Sequence, residues 1–283
     1  MAIPIINFWE NYFSNYDEGL GSSYERIIIH NKLMEIVSNY NIKSVLEAPS
    51  FGFTGLSGIN SMGFAKAGID VTILDHNQKR INLINQVWRE SSLKLNSLHV
   101  NSYNNIELDD KNYDLSWNFS ALWFVDDIRQ FLTELDRVTN KIIVLAVPNR
   151  SGIGYLSQKY LGKEDLKKYL KEENIFPKTF TPIMQDLGWE LVKWDYFDCP
   201  PWPDIGMAKE DFLKKIGLGF LGKKRPTTEE PKTPLTILDY WRDIDLDFNT
   251  KMLKYYWLEK YAPACFKAIW AHHKYYIFKR KKR

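Results

Sequence analysis

The sequence predicts an α/β fold: a largely parallel sheet with helices on both faces. Three observations carry this expectation. Short β-branched runs alternate with helical segments from about residue 42 to residue 150, and such alternation argues for crossover connections between parallel strands. The first two strand runs each end on an acid, Glu47 and Asp75. Two late strand-like runs, "LGWELVKWDYF" and "AHHKYYIFKR", stand outside the alternation and close the pattern.

The elements follow in order. Residues 7–40 read as helical, with Ile27, Ile28, Leu33, Met34, Ile36 and Val37 at near-helical spacing. "KSVLEA" is a short strand. "GINSMGFAKAG" fits a small-residue helix packed tightly on a sheet and ending near Gly68. "DVTILD" is the second strand, "QKRINLINQVWRESS" a helix, "SLHVNS" the third strand and "YDLSWNFS" the fourth. "VDDIRQFLTELDRVT" is amphipathic, with Asp126 and Asp127 as N-terminal caps. "KIIVLAVPN" is a fifth strand closed by Pro148. Beyond residue 150, "TFTPIMQDLGWELVKWDYFDCPPWPD" reads as a helix, a turn at Gly188 and a strand. Residues 205–265 look helical and irregular, with "KKRPTTEEPKTP" as an exposed loop. This stretch is too short, and too broken by Pro and Gly, to build its own core. The expected organisation is an N-terminal helical cap at 1–40, a core at 41–204, a helical insertion or substrate cap at 205–265, and a last core strand with a basic tail at 266–283.

Composition bounds the function. The chain has 283 residues, 45% hydrophobic and 15% aromatic, enough for a sizeable core. No apolar run is long enough for a transmembrane helix. "MAIPIINFWENYF" lacks the basic lead and long apolar run of a signal peptide. Cys199 and Cys265 have no metal-ligand spacing, so neither a metal site nor a disulfide framework is expected, and a cytoplasmic setting is the default. The net charge of +3 is uneven: residues 1–150 hold 13 basic and 17 acidic side chains, residues 151–283 hold 25 and 18. The tail "KRKKR" is a solvated end or a contact for an acidic surface such as RNA or a membrane face.

In an open α/β sheet, ligands sit at the carboxyl ends of the strands beside the switch point. That places the expected site at "VLEAPSFGFTGLSG", residues 45–58. "SFGFTG" partly matches a dinucleotide fingerprint: Ser50 replaces the first glycine, Gly52 and Gly55 follow, and Asp75 comes 20 residues after Gly55. Glu47 argues the other way. A carboxylate there repels a pyrophosphate and favours the sulfonium and ammonium of S-adenosylmethionine, by on the order of 1 kcal/mol or more in a partly screened cleft. Pro49 also removes one backbone N–H from any phosphate cradle.

On these residues the chain resembles the class I S-adenosylmethionine-dependent methyltransferases over roughly residues 42–200 and the last strand. "VLEAPSFGFTG" stands for the cofactor loop, "VTILD" for the ribose-binding strand end, "LHVNS" for the adenine-side strand and "YDLSWNFSAL" for the strand-four motif. Pro49, Phe51 and Phe53 occupy the loop's usual glycine offsets from the acid. The resemblance implies a Rossmann-like, seven-stranded, mostly parallel sheet with an antiparallel last strand. It also implies S-adenosylmethionine as cofactor. Glu47 would lie near the cofactor's amino acid end, with the backbone of Ala48, Pro49, Ser50, Gly52 and Gly55 passing close by. Asp75 would accept from both ribose hydroxyls, His76 would lie against the adenine, and Asn101 or Ser102 would face its amino group. Asn118 and Phe119 would line the floor beside the methionine moiety. Tyr24 and Arg26 would close over the cofactor carboxylate, or Arg26 would lie on a solvated helix face.

Methyl transfer is an in-line displacement in which positioning dominates, so no compulsory catalytic residue is written in the sequence. "NFSA" is not the Asn/Asp-Pro-Pro-aromatic motif of amino-methylating nucleic-acid enzymes. Cys199 lies after the sixth strand, the wrong place for a cytosine-methylating nucleophile, and reads as a packed loop thiol. Trp117, Trp123, Tyr196, Trp202, Trp241, Tyr255, Tyr256 and Trp257 crowd the expected substrate side. His272 and His273 read as packed or solvated, or one of them as a general base. The preferred acceptor is a small molecule or a protein side chain. The rivals are RNA, bound through the basic C-terminal half, and a non-catalytic binding module.

Overall fold

The computed structural model describes residues 9–52, 55–161, 170–202 and 234–281. Seven strands form one sheet: β1 (Ser44–Glu47), β2 (Asp70–Asp75), β3 (Asn96–His99), β4 (Tyr113–Phe119), β5 (Thr139–Pro148), β6 (Trp189–Phe197) and β7 (His273–Arg280). Their order is β3-β2-β1-β4-β5-β7-β6. The first five strands pair in parallel. β7 lies antiparallel between β5 and β6, with Ile143 opposite Phe278 and Leu191 opposite the same residue. The expected Rossmann-like sheet with its antiparallel last strand is thus observed.

Alternate residues of the inner strands feed two cores. Val45, Ile73 and Leu115 face one layer and Leu46, Leu74 and Leu145 the other, the period-two alternation of a strand buried on both faces. α2 (Gly19–Tyr40) and α4 (Gln78–Glu90) cover the first layer through Ile27, Leu33, Ile84 and Trp88. α5 (Ile128–Val138) and α7 (Pro177–Asp186) cover the second through Phe131, Leu135 and Phe180. Asp127 caps α5 as expected, accepting from the Gln130 N–H at 3.0 Å.

Three expectations are corrected. The segment before β1 is not one helix: a 3-10 turn at Trp9–Asn11 and α1 (Tyr12–Asn15) precede α2. Tyr16, at φ +58°, ends α1, and the linker pairs with a distant strand of chain: Glu18 N–H donates to Leu235 O and Leu235 N–H to Asp17 Oδ1, both at 3.0 Å. The small-residue helix is shorter than expected, α3 (Met62–Lys66). β3 ends at His99, so Asn101 and Ser102 lie in the loop beyond it.

Most of "KKRPTTEEPKTP" and the first part of the expected insertion lie outside the described residues. From residue 234 the chain forms α8 (Leu238–Trp241), α9 (Phe248–Leu253), α10 (Trp257–Tyr261) and α11 (Ala264–Trp270); α6 (Ile153–Leu161) precedes them in the chain. Ile237, Leu238, Trp241, Phe248 and Met252 are buried in the main core with α2. Among the described residues, no helix is long and apolar enough to cross a membrane.

Candidate active site

The carboxyl ends of β1, β2 and β4 meet beside the residue 47–58 loop, where the sheet order reverses. Glu47 ends β1 and is buried. The Ser61 hydroxyl donates to its Oε2 at 2.6 Å, and the Trp117 indole donates to Ser61 Oγ at 3.1 Å. Burial pushes the Glu47 carboxyl up to about 7; the Ser61 hydrogen bond and the Arg26 charge oppose that rise without cancelling it. The loop then runs close along the sheet. Ala48 N–H donates to Trp117 O and Ser50 N–H to Leu74 O, each at 3.0 Å, and the Ala48–Pro49 peptide is cis. Gly52 presses on the end of β4: a Cβ there would lie 2.6 Å from Ser120 O and 2.8 Å from Phe119 O.

Asp75 ends β2 with no exposed surface. Arg80, on the first turn of α4, grips it with two hydrogen bonds, Nε to Oδ2 at 2.7 Å and Nη2 to Oδ1 at 2.6 Å. The Ser50 hydroxyl also donates to Oδ2 at 2.9 Å and the Asn77 N–H to Oδ1 at 2.8 Å. A carboxylate has about four lone-pair sites, so protein donors already occupy them. The Arg80 guanidinium stacks over Phe51 at 3.8 Å and faces Trp9 at 5.0 Å. His76 is exposed, its Nδ1 3.1 Å from the Tyr103 hydroxyl. Asn101 and Ser102 are exposed; Ser102 Oγ accepts from Asn104 N–H at 3.1 Å.

Arg26 neither faces solvent nor stands free. It pairs with Glu18 and Asn60 and donates from Nη2 to Leu56 O at 2.5 Å. Glu18 in turn accepts from the Leu56 N–H at 2.8 Å. This buried pair clamps the loop to the start of α2. Gly55 adopts φ +123°, a left-handed-side conformation that suits glycine.

At the end of β4, Asn118 is fully buried and neither its amide oxygen nor its amide nitrogen has a hydrogen-bond partner. Phe119 lies against His273, ring centroids 4.5 Å apart. His273 opens β7 and faces Glu25 of α2, Nδ1 to Oε1 2.9 Å, and Asp198 beyond β6, 3.6 Å. His272 Nδ1 is 2.7 Å from Asp198 Oδ2. Both histidines are therefore packed, not solvated. Burial alone would raise the Asp198 pKa, yet the two histidines hold it below the usual range; burial would lower that of His273, yet Glu25 and Asp198 hold it up. Cys199 is buried, as expected, its thiol pushed up to about 12 by burial, with Glu259 and Asp198 nearby. Tyr24 is buried and meets Trp202 edge-on at 5.6 Å. A cavity of about 280 Å³ opens between α2 and β7, lined by Lys32, Glu35, Tyr256, Glu259, Lys267 and Tyr275 among others.

Glu47, Asp75 and Asn118–Phe119 lie at the carboxyl ends of β1, β2 and β4, with Ala48, Ser50 and Gly52 against those strand ends; Asn101 and Ser102 are exposed in the loop after β3. Sequence reasoning missed Arg80, Ser61, Glu18, Glu25 and Asp198. Arg80 had a signal: it stands in the first turn of the helix after Asp75. The others act across long loops and left none.

Residues 53–143 match the family model described as a methyltransferase domain. No curated protein matches the sequence. Among solved structures, the chain is similar to a candidate sarcosine dimethylglycine methyltransferase from Galdieria sulphuraria, with TM-score 0.53 and 11% identity over 89% of this chain and 85% of that one. It is also similar to a phosphoethanolamine N-methyltransferase from Haemonchus contortus, in complex with phosphomonomethylethanolamine and S-adenosylhomocysteine. There the TM-score is 0.51 and the identity 12%, over 89% of this chain and 53% of that one. A chain of the Haloferax volcanii complex between the Trm112 methyltransferase activator and a candidate methyltransferase gives TM-score 0.50 and 11% identity, over 98% and 100%. The sheet order is that of the Rossmann-like methyltransferase fold, and the match over residues 53–143 marks a methyltransferase domain within this chain.

Proposed function

We propose that the chain transfers a methyl group from S-adenosylmethionine to a small molecule or a single protein side chain. The observation that carries this reading is the enclosure of the β4 end. Asn118, Phe119 and His273 are buried beneath α2, whose Tyr24, Glu25 and Arg26 are buried too. An enclosed strand end suits a compact acceptor better than a polynucleotide. On the final strand Arg280 is already engaged: it pairs with Asp136 at 2.8 Å and donates to the carbonyls of Asp136 and Thr139.

The residues present fit the cofactor. Glu47 would meet its ammonium, Asp75 its ribose, His76 with Asn101 or Ser102 its adenine, and Asn118 its methionine end through an amide that has no protein partner. Bound there, the cofactor supplies a methyl group on a cationic sulfur. The chain's own share is positioning and exclusion of water. A ribose hydroxyl can reach Asp75 only by displacing a protein donor, and the Ser50 hydroxyl, at 2.9 Å the longest of the four bonds and on a side chain free to rotate, is the one to give way.

Calorimetric titration of the full chain with S-adenosylhomocysteine, adenosine and NAD tests this reading. S-adenosylhomocysteine should bind, NAD should not, and Glu47→Gln should weaken S-adenosylhomocysteine more than adenosine. Binding of NAD alone would overturn the cofactor assignment. Binding of none of the three would favour a non-catalytic module, and salt-sensitive binding of RNA would favour the polynucleotide reading.

A further inference from the structure

We propose that Glu25, Asp198 and His273 form a binding site for one divalent first-row transition-metal cation, set beside the end of β4. Each offers one ligand atom, all within 4.8 Å of one another, and all three residues are buried. They come from three separate elements, α2, the turn after β6 and the first residue of β7, so the fold itself assembles the set.

The two separations from His273 are those of ligands sharing an ion. A tetrahedral zinc ion with bonds of about 2.0–2.1 Å holds its ligand atoms roughly 3.3 Å apart, and the separations from His273 Nδ1 to Glu25 Oε1 and to Asp198 Oδ2, 2.9 and 3.6 Å, bracket that value. His273 Nδ1 meets both carboxylates as ion-pair contacts, and neither of its ring nitrogens makes an aligned hydrogen bond. A buried ring nitrogen between two carboxylates is costly without a proton or cation among them, and a cation held by His273 Nδ1, Glu25 Oε1 and Asp198 Oδ2 would fill that place.

The surroundings support the same assignment. His272 Nδ1, 2.7 Å from Asp198 Oδ2, orients the carboxylate as an outer-shell partner orients a metal ligand. Glu259 accepts from the Cys199 N–H at 2.6 Å, fixing the turn that carries Asp198. The donor set, one imidazole and two carboxylates, suits zinc, manganese or iron, and leaves a coordination position for an exogenous ligand. Phe119 lies against His273, the two rings tilted by 52°. If the methyl-transfer reading holds, the ion would bind and polarise an acceptor oxygen, nitrogen or sulfur next to the floor that Asn118 and Phe119 form. The metal site itself does not depend on that reading.

The test is metal stoichiometry on the full chain without a histidine tag, stripped with a chelator and dialysed against Zn²⁺. Mass-spectrometric metal analysis should give close to one zinc per chain, with a rise in melting temperature. Asp198→Asn and His273→Gln should each cut the bound zinc at least fivefold, whereas His99→Gln, at an exposed histidine, should keep it. Co²⁺ substitution should give a visible ligand-field spectrum that Glu25→Gln alters, and near-ultraviolet dichroism reports whether each variant is folded. Absence of stoichiometric zinc, manganese or cobalt in the wild-type chain would overturn the proposal, and this arm does not depend on any variant folding. Retention of zinc in both folded Asp198→Asn and His273→Gln would overturn it equally. Either failure leaves S-adenosylhomocysteine binding untouched, so it is distinguishable from failure of the methyl-transfer reading.

Discussion

Glu47 is an acid whose folded environment favours its protonated form. Burial raises its carboxyl to about 7 from an ordinary 4.5. A raised acid contributes its stabilising share below pH 4.5, and that share is lost as pH rises towards 7, with a full difference on the order of 3 kcal/mol. Glu47→Gln keeps the shape without the ionisation. It should melt higher than the wild type at pH 8 and about equally at pH 5; an advantage confined to pH 5 would contradict the assignment. Ligand affinity should run the other way. The ammonium of S-adenosylhomocysteine needs the ionised form, so its affinity should tighten about tenfold from pH 6 to pH 8 while that of adenosine stays flat; parallel curves would show that Glu47 serves only the loop. Arg80 is the companion case. It is buried against Asp75, and Arg80→Ala would strand a buried carboxylate. The expected cost is about 3–5 kcal/mol in urea denaturation, and a loss below about 1 kcal/mol would mean that the pair is dispensable.

At the scale of elements, α3 shows how a small residue is used. The small-residue pattern of "GINSMGFAKAG" reads as tight packing on a sheet, yet Gly63 faces a helix. A Cβ there would collide with the His30 ring of α2 and lie 3.0 Å from the Trp241 ring of α8. His30 and Trp241 themselves meet edge-on at 4.8 Å, and burial lowers the His30 pKa to about 4. Gly63→Ala should therefore destabilise by about 1–3 kcal/mol through overpacking, measured by thermal or urea unfolding; a neutral or stabilised variant would show that the rings yield freely. The same packing explains why the late short helices have no core of their own: Trp241, Phe248 and Met252 complete the one beneath α2.

Over the whole molecule, the sheet was legible in the sequence because its inner strands are buried on both faces, which forces β-branched, nearly continuous apolar runs such as "SVLE", "DVTILD" and "KIIVLAVP". The strand-end acids were legible for a related reason: a lone carboxylate closing a buried strand has few structural purposes. What escaped reading depends on distant partners. The break before α2 is set by Asp17 and Glu18 pairing with Leu235, and the His273 cluster gathers Glu25 and Asp198 from distant parts of the sequence. The occupancy of Asp75 escaped for the same reason, since nothing local marks Ser50 and Arg80 as its donors. That occupancy makes a crystal structure with S-adenosylhomocysteine the most direct measurement of the central claim. The account predicts the ligand between the residue 47–58 loop and the end of β4. Its ammonium should lie beside Glu47, its ribose hydroxyls on Asp75 with Ser50 displaced, and its sulfur facing Asn118. A ligand bound elsewhere, or a chain that stays ligand-free at saturating concentration with the four donors still on Asp75, would contradict it.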